Sequence, residues 1–283
     1  MNFKYKLDPT SKKFYCPACG KKSFVCYIEV ATNKYLESTI GRCDRESKCA
    51  YHKTPKGNLP ISSTCFIQQP KTPTYHTDDV IGYYGRDYNN NKFVSYLKQH
   101  FAPRDIKSVI QKYFIGTSSH WKGATVFWQI DHKMNVHAGK VMLYNPFTGN
   151  RVKKPFNHIN WMHRVLQINN FVLQQCLFGI HNLCDFDSDS TVCIVESEKT
   201  AIVMSLLYPQ FLWLATGSKS NLKLDLLQPL KGYKIIVYPD KLEYNDWKIK
   251  VQNFKNLGYN IICSYFVEKL SVCEGADLAD VLI

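Results

Sequence analysis

The cysteines of the first 52 residues constrain the fold more than any other feature of this sequence. Cys16-Pro-Ala-Cys19-Gly20 sets two thiols three residues apart, and the glycine permits a tight turn behind them. Further along come Cys43 and Cys49, so the region holds two separate pairs. Paired cysteines at such spacing are typical of a structural Zn²⁺ site with four thiolate ligands.

A hairpin between the two pairs would bring them together. Residues 24–30 and 35–41 have the composition of strands, and residues 32–34 that of a turn. We therefore predict a zinc ribbon over residues 1–53, with the ligands Cys16, Cys19, Cys43 and Cys49. His52 is an alternative ligand, because it could replace Cys43 in a site whose second half is Cys-x-x-His.

The charge of the chain is concentrated near these cysteines. Lys and Arg number 36 against 23 Asp and Glu, a formal charge of +13, and residues 1–57 alone hold 12 basic and 5 acidic side chains. An excess of this kind favours a polyanionic partner such as nucleic acid. Arg42 and Arg45 are candidate phosphate contacts, although a solvated basic face is the alternative.

The sequence gives no sign of a membrane protein. It has no run of ~20 apolar residues, and its first residues lack the apolar core of a signal peptide. Several of the 11 cysteines, such as Cys176, Cys193 and Cys263, stand in apolar runs, which favours reduced thiols. We expect a soluble cytoplasmic protein without a membrane partner.

The rest of the chain divides by composition and periodicity. Residues 54–77 are rich in Pro, Thr, Ser and Lys and are predicted to form a linker. In the α+β region predicted for residues 78–187, residues 91–101 and 103–113 have helical patterns, and residues 124–130 and 138–144 have strand patterns.

From residue 191 onward the pattern alternates strictly between strand and helix. Short apolar strands are predicted at 192–195, 211–215, 235–238 and 261–266, and helices at 198–207, 222–230 and 245–257. Strands that are apolar throughout indicate a parallel sheet covered on both faces. We expect an α/β domain over residues 188–283, with any ligand at the carboxyl ends of its strands.

Three consecutive strand ends carry residues suited to such a site. Glu196 follows the first predicted strand, Gly217 the second and Asp240 the third. This order resembles the Toprim domain of DnaG-type primases, topoisomerases and some nucleases. The resemblance implies that Glu196 and Asp240 bind Mg²⁺ or Mn²⁺, with Glu196 as general acid and base, Asp240 as metal anchor and Gly217 in the intervening loop.

The resemblance extends to most of the chain. Residues 124–131, 139–144 and 177–181 are similar to the segment before Toprim in DnaG-type primase cores, and the zinc ribbon precedes them. The sequence is most similar to zinc-ribbon and Toprim proteins of bacterial mobile elements. This implies single-stranded DNA and nucleoside triphosphates as partners, and a separate replicative helicase.

Two positions depart from the family pattern. The Asp-x-Asp of Toprim domains is Asp240-Lys241-Leu242 here, and Thr200 stands where DnaG-type primases often have an acid. The tail carries Asp277 and Asp280 in Asp-Leu-Ala-Asp, which is similar to the end of related Toprim proteins. No role is predicted for these two aspartates.

Basic and aromatic residues supply further candidates. Contacts to a template strand or a nucleotide are predicted for four basic residues in and after the middle strands, with a solvated face as the alternative: Lys140, Arg151, Lys153 and Lys154. The same kind of contact is predicted for Gly217 and Lys219 in the loop after the second strand. Trp121, Trp128 and Trp161 either stack on bases or lie in the core.

These observations support three functional hypotheses. The first is a metal-dependent, DNA primase-like nucleotidyltransferase that acts on single-stranded DNA in the replication of a mobile element. The second is a non-catalytic nucleic-acid-binding accessory protein, favoured by the acids that are missing at Leu242 and Thr200. The third is a Toprim nuclease, since one carboxylate cluster supports both kinds of phosphoryl chemistry.

Overall fold

The computed structural model of the protein describes residues 3–10, 12–45, 49–55 and 72–283, and its fold is mixed α/β. It contains two compact units, Met1–Lys71 and Thr72–Ile283. The predicted linker falls largely on residues 56–71, outside the described residues. Its last part belongs to the second unit, where His76 pairs with Val136. No described helix is long and apolar enough to cross a membrane.

The first unit is a five-stranded antiparallel sheet. Its central strand pairs with three others and buries Phe24, Cys26 and Ile28, because alternate side chains of a strand point to the same face. The strands are β1 Tyr5–Leu7, β2 Phe14–Tyr15, β3 Lys22–Glu29, β4 Gly41–Cys43 and β5 His52–Lys53.

The second strand of the ribbon, predicted at residues 35–41, is formed only at its two ends. Tyr35 forms a β-bridge with Ile28 and Gly41 pairs with Cys26, but between them the amide of Ile40 donates to the carbonyl of Glu37 in a turn. This turn interrupts the pairing, which resumes in β4. The regular pairing with β3 is therefore made by residues 41–43, and the more apolar segment before them pairs with β3 only on either side of the turn.

The second unit begins with helices and an antiparallel sheet of order β6-β7-β8-β9. All seven residues of β7 are buried, because helices and loops cover both faces of the sheet. The elements are α1 Asp79–Tyr84, α2 Lys92–Leu97, α3 Pro103–Lys112, β6 Gly116–Ser118, β7 Ala124–Ile130, β8 Val136–Met142, β9 Ile159–Trp161 and α4 Met162–Val165.

A second, parallel sheet follows, with the order β11-β10-β12-β13. The predicted alternation of strands and helices is confirmed. The elements are β10 Thr191–Val195, α5 Glu198–Leu207, β11 Leu212–Ala215, α6 Leu224–Leu227, β12 Lys234–Tyr238, α7 Tyr244–Asn256, β13 Ile261–Cys263 and α8 Leu278–Leu282. The helix predicted at 222–230 is shorter because Pro229, which has no amide hydrogen, stands in a 3₁₀ turn after α6.

The two sheets of the second unit share one hydrophobic core. Tyr113 stacks on Phe178 with ring centroids 5.2 Å apart, and Phe178 meets Phe127 of β7 at 5.8 Å. The buried Tyr113 hydroxyl donates to the carbonyl of Trp213 in β11 at 2.8 Å. A continuous aromatic core therefore joins the antiparallel sheet to the parallel one.

Candidate functional site

The four predicted cysteine ligands meet in the first unit. Their sulfur atoms all lie within 4.8 Å of one another, with 3.7 Å between Cys16 and Cys49 and 4.0 Å between Cys19 and Cys43. The turn before β3 carries the first pair, and β4 with the turn after it carries the second. His52 does not belong to this group of close ligand atoms, and its Nε2 lies 3.0 Å from the hydroxyl of Tyr27 instead. The four-cysteine set is therefore the one that the fold assembles.

The electrostatics of these thiols fit a bound cation. A hydrogen bond from the backbone amide of Lys21 lowers the pKa of Cys19 to about 6, and the Ser23 hydroxyl lowers the pKa of Cys43. The amide of Tyr51 also lowers the pKa of Cys49, but burial and the three other sulfurs outweigh it and raise that pKa to about 12. Four thiolates crowd one another unless a metal neutralises them, and a set of four sulfurs suits Zn²⁺.

The two predicted basic contacts of this unit lie beside the cysteines in sequence. Arg42 belongs to β4 and pairs with Val25 and His52 through its backbone. Arg45 begins the turn to Cys49, and its carbonyl accepts the Cys49 amide at 2.7 Å. Contact of either arginine with phosphate stays a prediction.

In the second unit, the carboxyl ends of three parallel strands open into one cavity of about 410 Å³. Glu196 follows β10, Gly217 lies in the loop after β11, and Asp240 follows β12. The fold thus brings together the three residues predicted at the strand ends. The other lining residues come from β8, the loop after it, the start of α5 and the segment around α8: Lys140, Met142, Tyr144, Gly149, Asn150, Arg151, Lys153, Ser197, Glu198, Lys199, Gly275, Asp277 and Asp280.

A buried ion pair forms the floor of this cavity. The ammonium of Lys140 donates to both carboxylate oxygens of Glu198, at 3.0 and 3.2 Å, and to the carbonyl of Gly217 at 2.7 Å. These contacts use all three of its N–H donors. Gly217 has a φ of +75°, and a Cβ there would lie 3.0 Å from a Glu198 oxygen, so the loop requires glycine. Lys140 fastens this loop to α5 and does not face the cavity with a free charge.

Asp240 is the least compensated acid of the cavity. Within the described ranges, its carboxylate accepts no hydrogen bond and forms no ion pair. Burial, together with Glu196, Asp277, Asp280 and Glu243, raises its pKa to about 8. Burial and Glu243 also raise the pKa of Glu196, although the backbone amide of Lys219 donates to that carboxylate. Both groups favour a neighbouring cation.

The structure adds two acids for which no role was predicted. Asp277 precedes α8 and Asp280 lies in its first turn, and the two cap this helix by accepting each other's backbone amides. The hydroxyl of Thr200 donates to Asp277 at 2.6 Å, and the ammonium of Lys199 lies 2.8 Å from Asp280. Thr200, the position at which the resemblance to DnaG-type primases implied an acid, therefore holds the acid Asp277 in the cavity through its hydroxyl. The Asp-Leu-Ala-Asp tail was the one available signal.

Leu242 stands outside the cavity. Its φ is +75° and its side chain is 57% exposed, while its amide donates to Glu268 at 2.9 Å. The position at which the Toprim resemblance implied a second aspartate is thus not part of the cavity lining.

Two of the remaining predicted basic contacts line the cavity and two do not. Arg151 and Lys153 are exposed and line the cavity. Lys154 is exposed but outside the lining, and Lys219 forms an ion pair with Glu243 at 2.8 Å. Trp128 is fully buried and cannot stack on a base, so for this side chain the core alternative is right.

Comparisons with known proteins agree with this architecture. The model of a domain of unknown function, DUF6371, matches residues 91–241, and that of a zinc beta-ribbon finger matches residues 3–61. No curated protein matches the chain in sequence.

Solved primase structures resemble the chain. The zinc-binding and RNA polymerase domains of the Aquifex aeolicus primase align with 98% of this chain and 77% of their own, at 12% identity and a TM-score of 0.50. The primase fragment of the bacteriophage T7 primase-helicase aligns with 95% and 93%, at 13% identity and a TM-score of 0.43. A DnaG primase catalytic domain bound to ssDNA aligns with 72% and 74%, at 12% identity and a TM-score of 0.48. The chain shares the fold of the first of these.

Proposed function

The chain belongs to the DUF6371 family, whose model covers more than half of it, and we propose that it is a DNA primase-like nucleotidyltransferase that uses a divalent cation. One observation carries the proposal. One cavity is lined both by the carboxylates of Glu196 and Asp240, of which Asp240 has no hydrogen-bond donor among the described residues, and by the exposed cations Arg151 and Lys153. Its Toprim-like strand ends and its primase fold support the same conclusion.

The donor set of the cavity fits Mg²⁺ or Mn²⁺. Mg²⁺ is commonly held by one or two carboxylates, with water and substrate phosphates as its other ligands. Glu196 and Asp240 would supply those carboxylates, and Asp240 has no donor from the described residues that would compete. When bound, the ion would neutralise charge on a phosphate and lower the pKa of a coordinated hydroxyl.

Side chains of the cavity would bind the substrate, accept a proton and support the cavity floor. Arg151 and Lys153 bind the phosphates of a nucleoside triphosphate from the rim of the cavity. Glu196 accepts the proton of the attacking hydroxyl, for which its raised pKa is suited. Gly217 and Glu198, held by Lys140, keep the floor in place without contacting the reacting atoms.

Single-stranded DNA is the proposed template. The segment after Lys153 carries the exposed Lys154 and Phe156, and the Phe156 ring lies 6.4 Å from that of Trp121. Exposed rings next to cations are the usual contacts for unpaired bases and their phosphates. Residues 1–57, which include the zinc ribbon, add 12 basic against 5 acidic side chains, an excess that favours binding to a polyanion. A mobile-element context and a separate helicase stay predictions.

A non-catalytic accessory protein is the second candidate, and Leu242 favours it, because the position of the second Toprim aspartate lies outside the cavity. In that case the cavity would bind a nucleotide or nucleic acid without extending a strand.

Primer synthesis separates the two candidates. The zinc-loaded chain is incubated with single-stranded DNA, labelled ribonucleotides and Mg²⁺ or Mn²⁺, beside Glu196→Gln, Asp240→Asn and the control Asp225→Asn, an exposed acid at the start of α6. We expect synthesis that both cavity variants reduce at least ~100-fold and the control retains. DNA binding without synthesis under either metal would favour the accessory protein.

A further inference from the structure

The carboxylates of the cavity fall into two sets according to their hydrogen-bond donors. In the first set, Asp277 and Asp280, every oxygen already has a donor. Asp277 accepts the amide of Asp280 at 2.9 Å and the hydroxyl of Thr200 at 2.6 Å. Asp280 accepts the ammonium of Lys199 at 2.8 Å and the amide of Asp277 at 3.2 Å.

Lys199 lies between these two acids as a fixed cation. Its ammonium is 2.8 Å from Asp280 and 3.7 Å from Asp277, and its side chain is 9% exposed. It occupies the second position of α5, directly after Glu198, whose own charge is taken by Lys140. Helix α5 therefore places the ammonium of Lys199, fixed by its two ion pairs, at one side of the cavity.

The second set, Glu196 and Asp240, has no such partner. Glu196 accepts one backbone amide, that of Lys219, and the part of the chain that the structure describes provides Asp240 with none. Neither forms an ion pair with a described residue. The two sets are neighbours, since both tail aspartates act on Asp240 electrostatically.

The number of cations that the cavity can hold follows from this division. Two-metal phosphoryl-transfer sites keep their ions roughly 3.5–4 Å apart, so a second ion beside one at Glu196 and Asp240 would need the neighbouring carboxylates, which are those of Asp277 and Asp280. Leu242 offers none, and Lys199 already engages the tail aspartates with a charge that repels a second ion. We infer that Lys199 takes the place of a second divalent cation, so that the cavity holds one Mg²⁺ or Mn²⁺, at Glu196 and Asp240. This inference rests on the metal site proposed above.

Mn²⁺ binding to the zinc-loaded chain tests the inference without reference to activity. Equilibrium dialysis and electron paramagnetic resonance count the bound ions in the native chain, in Lys199→Met and in Lys199→Arg, and Asp240→Asn identifies the ion of the cavity by its loss. We expect one cavity ion in the native chain and in Lys199→Arg, which keeps the charge, and two in Lys199→Met.

Several results would overturn the inference. Two cavity ions in the native chain, or one in a folded Lys199→Met, would do so. If Lys199→Met does not fold, the native spectrum at saturating Mn²⁺ decides, because a spin-coupled dinuclear signal contradicts a single ion and a mononuclear signal supports it. No Mn²⁺ in the native chain would overturn the metal site and the inference together. One ion without primer synthesis would support the inference and contradict the primase.

Discussion

The four cysteines and the carboxylate cavity both bring together side chains suited to a cation. They differ in whether those side chains are part of a hydrophobic core. In the first unit the sulfurs of Cys16 and Cys43 are themselves part of a small core with Phe24 and Cys26. In the second unit the carboxylates lie at the edge of sheets whose large cores contain none of them. The comparison predicts that the first unit depends on Zn²⁺ for its folding, whereas the second unit folds without the cation proposed for its cavity.

Removal of zinc should have the largest effect on folding. If it had no effect, the two units would not differ in their dependence on a metal. Chelation, or Cys16→Ser, is expected to unfold residues 3–55 and to leave residues 72–283 folded, since apparent zinc affinities of small fingers correspond to roughly 10–16 kcal/mol. Hydrogen exchange measures both units in one sample. Cys26→Ala is the matched control, a buried cysteine outside the cluster that should keep the protection of β3. Protection of β3 in a metal-free chain would contradict the prediction.

Removal of the buried ammonium of Lys140 should have the next largest effect on stability. Lys140→Met leaves Glu198, which is 1% exposed, as an unpaired buried carboxylate, and should cost about 3–5 kcal/mol of unfolding free energy. Adding Glu198→Gln should restore most of this loss. Urea unfolding of the four members of the cycle gives the coupling energy. Additive losses would show that the second unit does not depend on this pair.

Mg²⁺ should stabilise the second unit moderately, and this effect should require Asp240. A ligand at about 100 times its dissociation constant adds ~2.7 kcal/mol to the stability of the state that binds it. We expect Mg²⁺ to raise the Tm of the native chain and not that of Asp240→Asn. Without Mg²⁺ the variant should be the more stable protein, because a neutral amide relieves the repulsion that raises the pKa of Asp240 to about 8. Asp225→Asn, the exposed control, should behave like the native chain in both conditions.

The smallest effect is expected for Asp131, a carboxylate that, unlike Asp240, accepts several hydrogen bonds. Burial alone would raise the pKa of Asp131, but hydrogen bonds from Asn135, His137 and the Lys133 amide lower it from 3.8 to about 2. Because the folded pKa is the lower one, its contribution is present above pH 3.8 and is lost as the pH falls through about 2.

The corresponding measurement is urea unfolding between pH 7 and pH 2. Asp131→Asn should remove on the order of 1 kcal/mol at pH 7, after allowance for solvent screening, and should flatten the acid limb of the stability curve. Asp189→Asn, an exposed aspartate before β10, is the control. An unchanged acid limb in Asp131→Asn would show that this turn does not stabilise the ionised form.

The parts of the fold that depend on local pattern were predictable from the sequence. The cysteine spacing indicated the ribbon, and apolar strands that alternate with helices indicated the parallel sheet and the meeting of Glu196, Gly217 and Asp240 at its edge. Local composition failed at residues 35–41, where apolar residues suggested a strand but the backbone turns between Glu37 and Ile40.

The ion pairs of the cavity could not be predicted from local sequence patterns. Lys140 was predicted to contact phosphate, yet it is buried against Glu198, 58 residues later. Lys199 meets Asp280 across 81 residues, which depends on where α8 packs against α5. Such contacts are set by the packing of distant elements, and no spacing rule links their members in sequence.

The hydrogen bond from Tyr113 to the carbonyl of Trp213 has a mechanical consequence. It crosses from the end of α3 to β11 inside a core that the two sheets share, so the two walls of the cavity belong to one stiff body. Hinged opening of one sheet against the other would tear that core apart. For the template strand proposed above, this predicts entry by displacement of the rim, where residues 147 and 148, in the turn between β8 and β9, are exposed to solvent.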